Sequence, residues 1–435
     1  MITIFQKKIK EIIGESKTFV NIVFTFGARI LKALTIFVLM VLIARKFGPE
    51  GKGIITMALF LPDFLYFMLH LGLGNASIFH ISNSQENEKI VYNNSVWQGL
   101  GLSFVSIMIV LILKLINPNV LGIGFPNSFL YVTLMIVPFS FLETFFENIF
   151  AGKQEFKIFN GIIIVDRIVL VIAMIMAFAM FKINLIFVLI LILVNLIIQV
   201  LAYFIILVKR YGWPNVFGFN IKYFKKAIDF GFRSYLACFL CYLVLKSDLY
   251  MLSVMRGVKD VGLYSVATNF IDAMLLLSGS ASAVIFPLIS RNISKSAYYI
   301  KKFTSLISLS SIGVIVLTLV FGKAFIGLFF GQEFISAAIP LFILLIAMYF
   351  WSLLSIVTQF FAAKNYPWKA VYIWVPGIVI NIVINWIWIP KYGMLATAWS
   401  SVIAYALTFL LHVIVLQEYE KISFWELIFP KILKK

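Results

Sequence analysis

Three cations (Arg29, Lys32 and Lys246) and three carboxylates (Asp63, Asp248 and Asp272) sit inside stretches of sequence that are otherwise apolar. An ionisable group at the centre of a bilayer costs about 2.5–3.5 kcal/mol on insertion scales, so such residues mark pathways or binding sites by default. Arginine can grip a phosphate with two parallel hydrogen bonds, and lysine acts as a compact point charge. Cations at this depth therefore suit an anionic headgroup, or else pair internally with Asp63, Asp248 or Asp272 and hold helices together. Arg29 and Lys32 are three residues apart and share a helix face. Lys246 occupies the equivalent helix of the second half, and similar depths lead us to expect that the three cations meet at mid-membrane. The carboxylates suit protonation, or ion pairs that exchange during a conformational switch, and serve equally well as fixed counter-ions. Asp63 follows Pro62, which interrupts the helical ladder and could mark a hinge.

Two polar pairs have i, i+4 spacing: Asn195 with Gln199, and Asn381 with Asn385. They are candidates for contacts to sugar hydroxyls, or for bonds that hold helices together. Glu143 and Glu147 lie near Asp166 and Arg167, and a local Glu147–Arg167 pair is the expectation. His70, His80 and His412 have no metal-like spacing, so no metal is expected. Cys238 and Cys241 form a CxxC within an apolar helix, where they read as small buried residues. No Walker sequence is present, nor paired carboxylates of the DxD kind, nor a soluble segment large enough for a catalytic domain. The chain therefore reads as neither an enzyme nor a cofactor protein.

The elements that carry these residues follow from composition. Of 435 residues, 62% are hydrophobic and 12% charged, and mean hydropathy is +1.03. A soluble chain is nearer half apolar and a quarter charged. This excludes a soluble enzyme, a disordered tail protein and a nucleic-acid-binding domain, although the net charge is +18. About twenty apolar residues cross the hydrocarbon core as a helix. Twelve such segments are expected, at about 18–43, 54–80, 94–116, 128–150, 161–181, 184–208, 234–256, 262–289, 303–322, 337–361, 370–389 and 394–416. Residues 1–17 read as a short amphipathic cytoplasmic segment, with no cleavable signal peptide. Placing both termini in the cytoplasm puts 23 Lys/Arg in inside segments and eight in outside loops. Basic loops stay inside, so this orientation is preferred.

The chain also repeats itself. GIITMALFLPDFLYFMLHLGLGNASIFHIS, from Gly53, matches GLYSVATNFIDAMLLLSGSASAVIFPLIS, from Gly262, at an offset of about 210. Each places an aspartate ten residues after its glycine, Asp63 and Asp272, and Arg45 and Arg256 precede them alike. IFAGKQEFK at 149–157 pairs with FFAAKNYPWK at 360–369. An even number of spans per half makes the repeat parallel, and such repeats place a substrate site between the halves. The expected organisation is a six-helix lobe over 1–208, a basic cytoplasmic linker over 209–233, a second six-helix lobe over 234–416, and a cytoplasmic tail over 417–435.

LIARKFGPEGKGIITMALFLPDFLYFMLHLGLGNASIFHIS (42–82) and NIVINWIWIPKYGMLATAWS (381–400) resemble the bacterial polysaccharide-biosynthesis flippases called Wzx. These belong to the superfamily that also holds multidrug-and-toxin extruders and lipid II flippases. The carrying residues are Ala44-Arg45, Gly48-Pro49-Glu50, Gly53 and Leu71 to Ala76. Met394-Leu395-Ala396 stands where the family usually has Gly-Ala-Ala. The resemblance implies an all-α membrane fold, with two six-helix lobes around a central cavity. It implies a polyprenyl-diphosphate oligosaccharide as substrate and the bacterial cytoplasmic membrane as location. Membrane lipids, and a polymerase or chain-length protein, are the implied partners, without nucleic acid. Arg29 matches a first-helix arginine described in the lipid II flippases by type and approximate place. The full expectation is a flippase working by alternating access, with Arg29, Lys32 and Lys246 on the diphosphate. The alternatives are a cation-coupled multidrug antiporter and a non-transporting scaffold for glycan assembly.

Overall fold

The computed structural model describes residues 16–428 except 120, 181 and 216, with side chains from residue 27 onward except those of Arg29 and Ile428. The amphipathic segment expected at 1–17 therefore lies almost wholly outside the described residues, as does the Arg29 side chain. The described residues are helical throughout, with short connections. The helices are α1 (Ser16–Leu69), α2 (Leu73–Ser82), α3 (Glu88–Ile116), α4 (Asn127–Gly152), α5 (Phe156–Met180), α6 (Leu185–Tyr211) and α7 (Ile221–Arg256). They continue as α8 (Val258–Arg291), α9 (Ser296–Phe329), α10 (Ala338–Ala363), α11 (Trp368–Tyr372), α12 (Trp374–Tyr392), α13 (Met394–Gln417) and α14 (Phe424–Ile428). Among the described residues, ten helices are long and apolar enough to cross a membrane. The first arm of α1 is the segment read from sequence as the first span, and the second arm together with α2 covers the segment read as the second.

Those arms part at Gly48, whose φ of 64° is left-handed, and Pro49 follows as the first residue of the second arm. Glycine reaches that conformation without steric cost, and proline is well suited to a helix's first position. The expected second span, 54–80, is not continuous. It breaks at Leu71 (φ 51°) and Gly72 (φ 76°), where the Gly72 amide donates to His70 Nδ1 at 3.2 Å. The basic connection over 209–233 is mostly helix, because α6 runs to Tyr211 and α7 begins at Ile221. Asn220 starts α7 by accepting the Tyr223 amide at 3.0 Å, which satisfies a first-turn N–H.

The chain forms two compact units. Among the described residues, one takes in 16–40, 73–108 and 131–231; the other takes in 41–72, 109–130 and 232–428. In the second unit α10 packs between α8 and α13, and 61% of its most apolar window is buried, against 17% for α9. α10 is thus a central helix of this unit, and α9 is left largely uncovered. Arg45 donates from Nε to the Phe329 carbonyl at 2.7 Å and from a terminal nitrogen to the Leu328 carbonyl, which occupies acceptors left over where α9 ends.

The sequence repeat has a geometric counterpart. A Cβ on Gly53 would lie 1.7 Å from the Val258 carbonyl oxygen, and one on Gly262 would lie 1.8 Å from that of Pro49. Each glycine therefore lets the other strand of the repeat touch it backbone to backbone. The IFAGKQEFK and FFAAKNYPWK segments close their helices alike. Gln154 and Asn365 take φ of 57° and 55°, and Glu155 and Tyr366 donate back to Phe150 and Phe361 at 2.9 and 2.8 Å.

Candidate functional site

In the second unit, Lys246 on α7 donates from Nζ to Asp272 Oδ2 on α8 at 2.9 Å. Asp248 and Asp63 also act on the Lys246 charge. One cation and all three candidate carboxylates thus belong to a single electrostatic group. Lys246 and Asp272 keep 29% and 47% side-chain exposure, so the pair is open to whatever occupies the space beside it. Aromatic rings line the same stretch, with Phe67 stacked on Tyr242 at 4.3 Å and Phe64 at 6.4 Å from it.

Asp248 is placed differently. Its carboxylate is buried and accepts three hydrogen bonds, from the Leu249 amide at 2.7 Å and from the Tyr264 and Ser401 hydroxyls at 2.9 Å each. Next to it in sequence, Ser247 donates to Asn381 Oδ1 at 3.1 Å. Asn385 also donates to Asn381 Oδ1, at 2.9 Å, and Ser400 donates to Asn385 Oδ1 at 2.8 Å. Two polar strings therefore run between α7 and α13, one through Asp248 alone and one through α12. Asn381 and Asn385 are fully buried, and in this structure their amides join helices. The donors Tyr264 and Ser401 carry no sequence signal of their own; only folding shows that they converge on Asp248.

The first unit holds a second group of charges. Lys32 is exposed on α1, and its charge acts on Glu147 of α4 and Asp166 of α5. Asp166 accepts a hydrogen bond from Asn195 Nδ2. The expected Glu147–Arg167 pair does not form. Arg167 Nε lies 3.4 Å from the neighbouring Asp166, and Glu147 instead accepts from the Tyr203 hydroxyl at 3.1 Å. Tyr203 sits one turn beyond Gln199 on α6 and reaches Glu147 first. Gln199 is buried, and among the described residues its amide atoms have no hydrogen-bond partner. Among the described residues the three histidines make local hydrogen bonds, and Cys238 and Cys241 are free thiols. Outside the spans, burial weighs against the Lys153 charge, but bonds to Glu88 and Tyr211 outweigh it and raise its pKa.

Comparison with known proteins places the chain. The family model described as "Polysaccharide biosynthesis protein" matches residues 19–293, well over half of the sequence. The chain belongs to the polysaccharide biosynthesis protein family. The segment at 42–82 that carried the resemblance lies within the matched residues. A relative, the probable low-salt glycan biosynthesis flippase Agl15 of Haloferax volcanii, is 27% identical over 184 residues. That match covers 41% of this chain and 39% of Agl15, so the chain spans well under half the length of this curated relative. Among solved structures, the lipid II flippase MurJ in an inward closed conformation superposes with a TM-score of 0.73 at 18% identity, covering 92% of this chain and 87% of that one. An inward-facing multidrug resistance MATE transporter of the MOP superfamily gives 0.70 at 13% identity, covering 90% and 96%. This family member therefore shares the all-helical fold of these two transporters.

Proposed function

We propose that this protein is a flippase that carries a polyprenyl-diphosphate-linked oligosaccharide across the bacterial cytoplasmic membrane for surface polysaccharide synthesis. The observation that supports this most is Lys246: a partly exposed cation on a membrane-spanning helix, held at 2.9 Å by Asp272, in a member of a polysaccharide biosynthesis family. An anionic headgroup competes with Asp272 for the ammonium, so arrival of the diphosphate and release of the carboxylate are one exchange. Lys32 and Arg29 are proposed as the corresponding cations of the first unit. The glycan would meet polar side chains, for which Asn195, Gln199, Asn381 and Asn385 remain the candidates once their helices part. The excess of Lys/Arg in the segments expected inside supports a cytoplasmic position for both termini. Two negative charges moving outward gain about 4.6 kcal/mol per 100 mV of inside-negative potential. Asp248 is proposed to couple the cycle to a proton or cation, with Asp63 and Asp272 as gating partners.

The buried Asp248, with its three donors, also supports a second reading, a cation-coupled multidrug antiporter. The discriminating experiment is headgroup sidedness in cells depleted of the protein. Polyprenyl-diphosphate glycans are extracted after a glycan-modifying enzyme is added outside spheroplasts. Complete glycan units that accumulate unmodified are the expected result. Units that stay accessible, or fail to accumulate, would put the antiporter first.

A further inference from the structure

The connection between α6 and α7 joins two spanning helices, so it lies at the bilayer surface. It is ordered by its own bonds. Trp97 Nε1 donates to the Asn215 carbonyl at 2.9 Å, the Phe217 amide donates to Asn215 Oδ1 at 3.0 Å, and Asn220 caps α7. This tethering holds Trp213 and Phe217 outward, 77% and 94% exposed. The first turns of α7 then present three faces. Tyr223 and Ala227 are buried against their own unit, with the Tyr223 hydroxyl 3.2 Å from that of Ser77. Ile221, Phe224 and Ile228, spaced i, i+3 and i+7, make an apolar stripe that leaves Ile221 half exposed. Lys222, Lys226 and Asp229 make a polar stripe beside it, with the exposed Lys225 at the border.

Lys226 is matched by Glu86 at 2.8 Å, whereas Lys222 and Lys225 have no salt bridge among the described residues. Large apolar side chains held in a fixed outward position, edged by unmatched lysines, are the arrangement of an interfacial helix. We propose that Trp213, Phe217 and the first turns of α7, Ile221 to Asp229, are a binding surface for anionic phospholipid, in the leaflet that this connection faces. Trp213, Phe217 and Ile221 would enter the boundary of the acyl chains, and Lys222 and Lys225 would hold the phosphate headgroups. The charge sign selects anionic over zwitterionic lipid, because juxtamembrane lysines gain only where the surface potential is negative. Apolar insertion alone would not discriminate. The surface is continuous with the lipid-facing side of the adjoining spans, where Ile205 and Leu201 of α6 are also exposed.

The test uses the full chain, with Cys238→Ala and Cys241→Ala and a single cysteine from Phe217→Cys that carries an environment-sensitive fluorophore. It is reconstituted into vesicles of phosphatidylcholine alone, or with a third phosphatidylglycerol. The expected result is a blue-shifted probe, quenched by spin-labelled acyl chains, in the anionic vesicles and not in the neutral ones. Lys222→Gln and Lys225→Gln should each reduce the docked-to-undocked ratio roughly fivefold, the equivalent of about 1 kcal/mol per lysine. Probe emission that is the same in both membranes would overturn the proposal, as would phosphatidylglycerol dependence that survives loss of both lysines. Mass spectrometry of co-purified lipid reads the same contact without any cysteine change. There the double Gln variant should retain less phosphatidylglycerol than the unaltered protein, and equal retention would also overturn the assignment.

Discussion

Lys246 and Asp272 are bonded at 2.9 Å, yet 29% and 47% of their side chains remain exposed. A pair this open gains little from mutual attraction alone, so its expected role is exchange rather than stability. Lys246→Ala should lower the transport rate in proteoliposomes at least tenfold. Asp272→Ala should lower it less, and the double variant should not recover. Recovery in the double variant would show that the two charges only neutralise each other. Asp248 makes the opposite case, being sealed from solvent and held by three donors. Asp248→Asn keeps an acceptor for those donors and should still fold, at a cost of about 1–3 kcal/mol. Initial rates measured against an imposed proton or sodium gradient should lose their dependence in this variant. An unchanged gradient response would remove Asp248 from the coupling.

At the scale of the helices, the crossing at Gly53 and Gly262 is the tightest constraint. A methyl group at position 53 would sit 1.7 Å from the Val258 carbonyl, a rigid backbone atom, so the helices must separate. Overpacking of this kind costs about 1–3 kcal/mol or more. Gly53→Ala should therefore lower the melting temperature in detergent. Gly161 provides the control: it lies within α5 and nothing comes within 4 Å of a Cβ placed there. Gly161→Ala should leave stability unchanged or raise it by about 0.4–1 kcal/mol, through lower chain entropy in the unfolded state. Equal effects at both glycines would show that the crossing is not rigid. This scale also separates what sequence showed from what it hid. The matched Gly53 and Gly262 were legible as punctuation in the repeat, but not as touching backbones, because contact between helices leaves no periodic trace. The break at Leu71–Gly72 was also hidden, since a run of apolar residues looks the same whether or not it is one helix.

For the molecule as a whole, the distribution of basic residues makes a definite prediction. With both termini in the cytoplasm, single cysteines at Lys157 and Lys209 should be shielded from an impermeant thiol reagent in intact cells. Cysteines at Lys182 and Lys323 should react. The reverse pattern would invert the topology and, with it, the direction of transport proposed above. Family membership rests on residues 19–293, and the MurJ and MATE likenesses extend the same fold over 92% and 90% of the chain at low identity. Such breadth of fold at such low identity leaves substrate choice to individual side chains.

The residue sequence by itself determined that this is a membrane-spanning all-helical protein, that it is built on a repeat, and which family it joins. Those properties depend on composition, on the length of apolar runs and on local punctuation, all of which are written linearly. Only the tertiary structure decided who pairs with whom. It set Lys246 against Asp272 and surrounded Asp248 with Tyr264 and Ser401. It gave Glu147 to Tyr203 rather than Arg167, and tied Asn381 to Ser247. Each of these partnerships bridges separate helices, and within apolar helices the sequence does not encode which faces will meet.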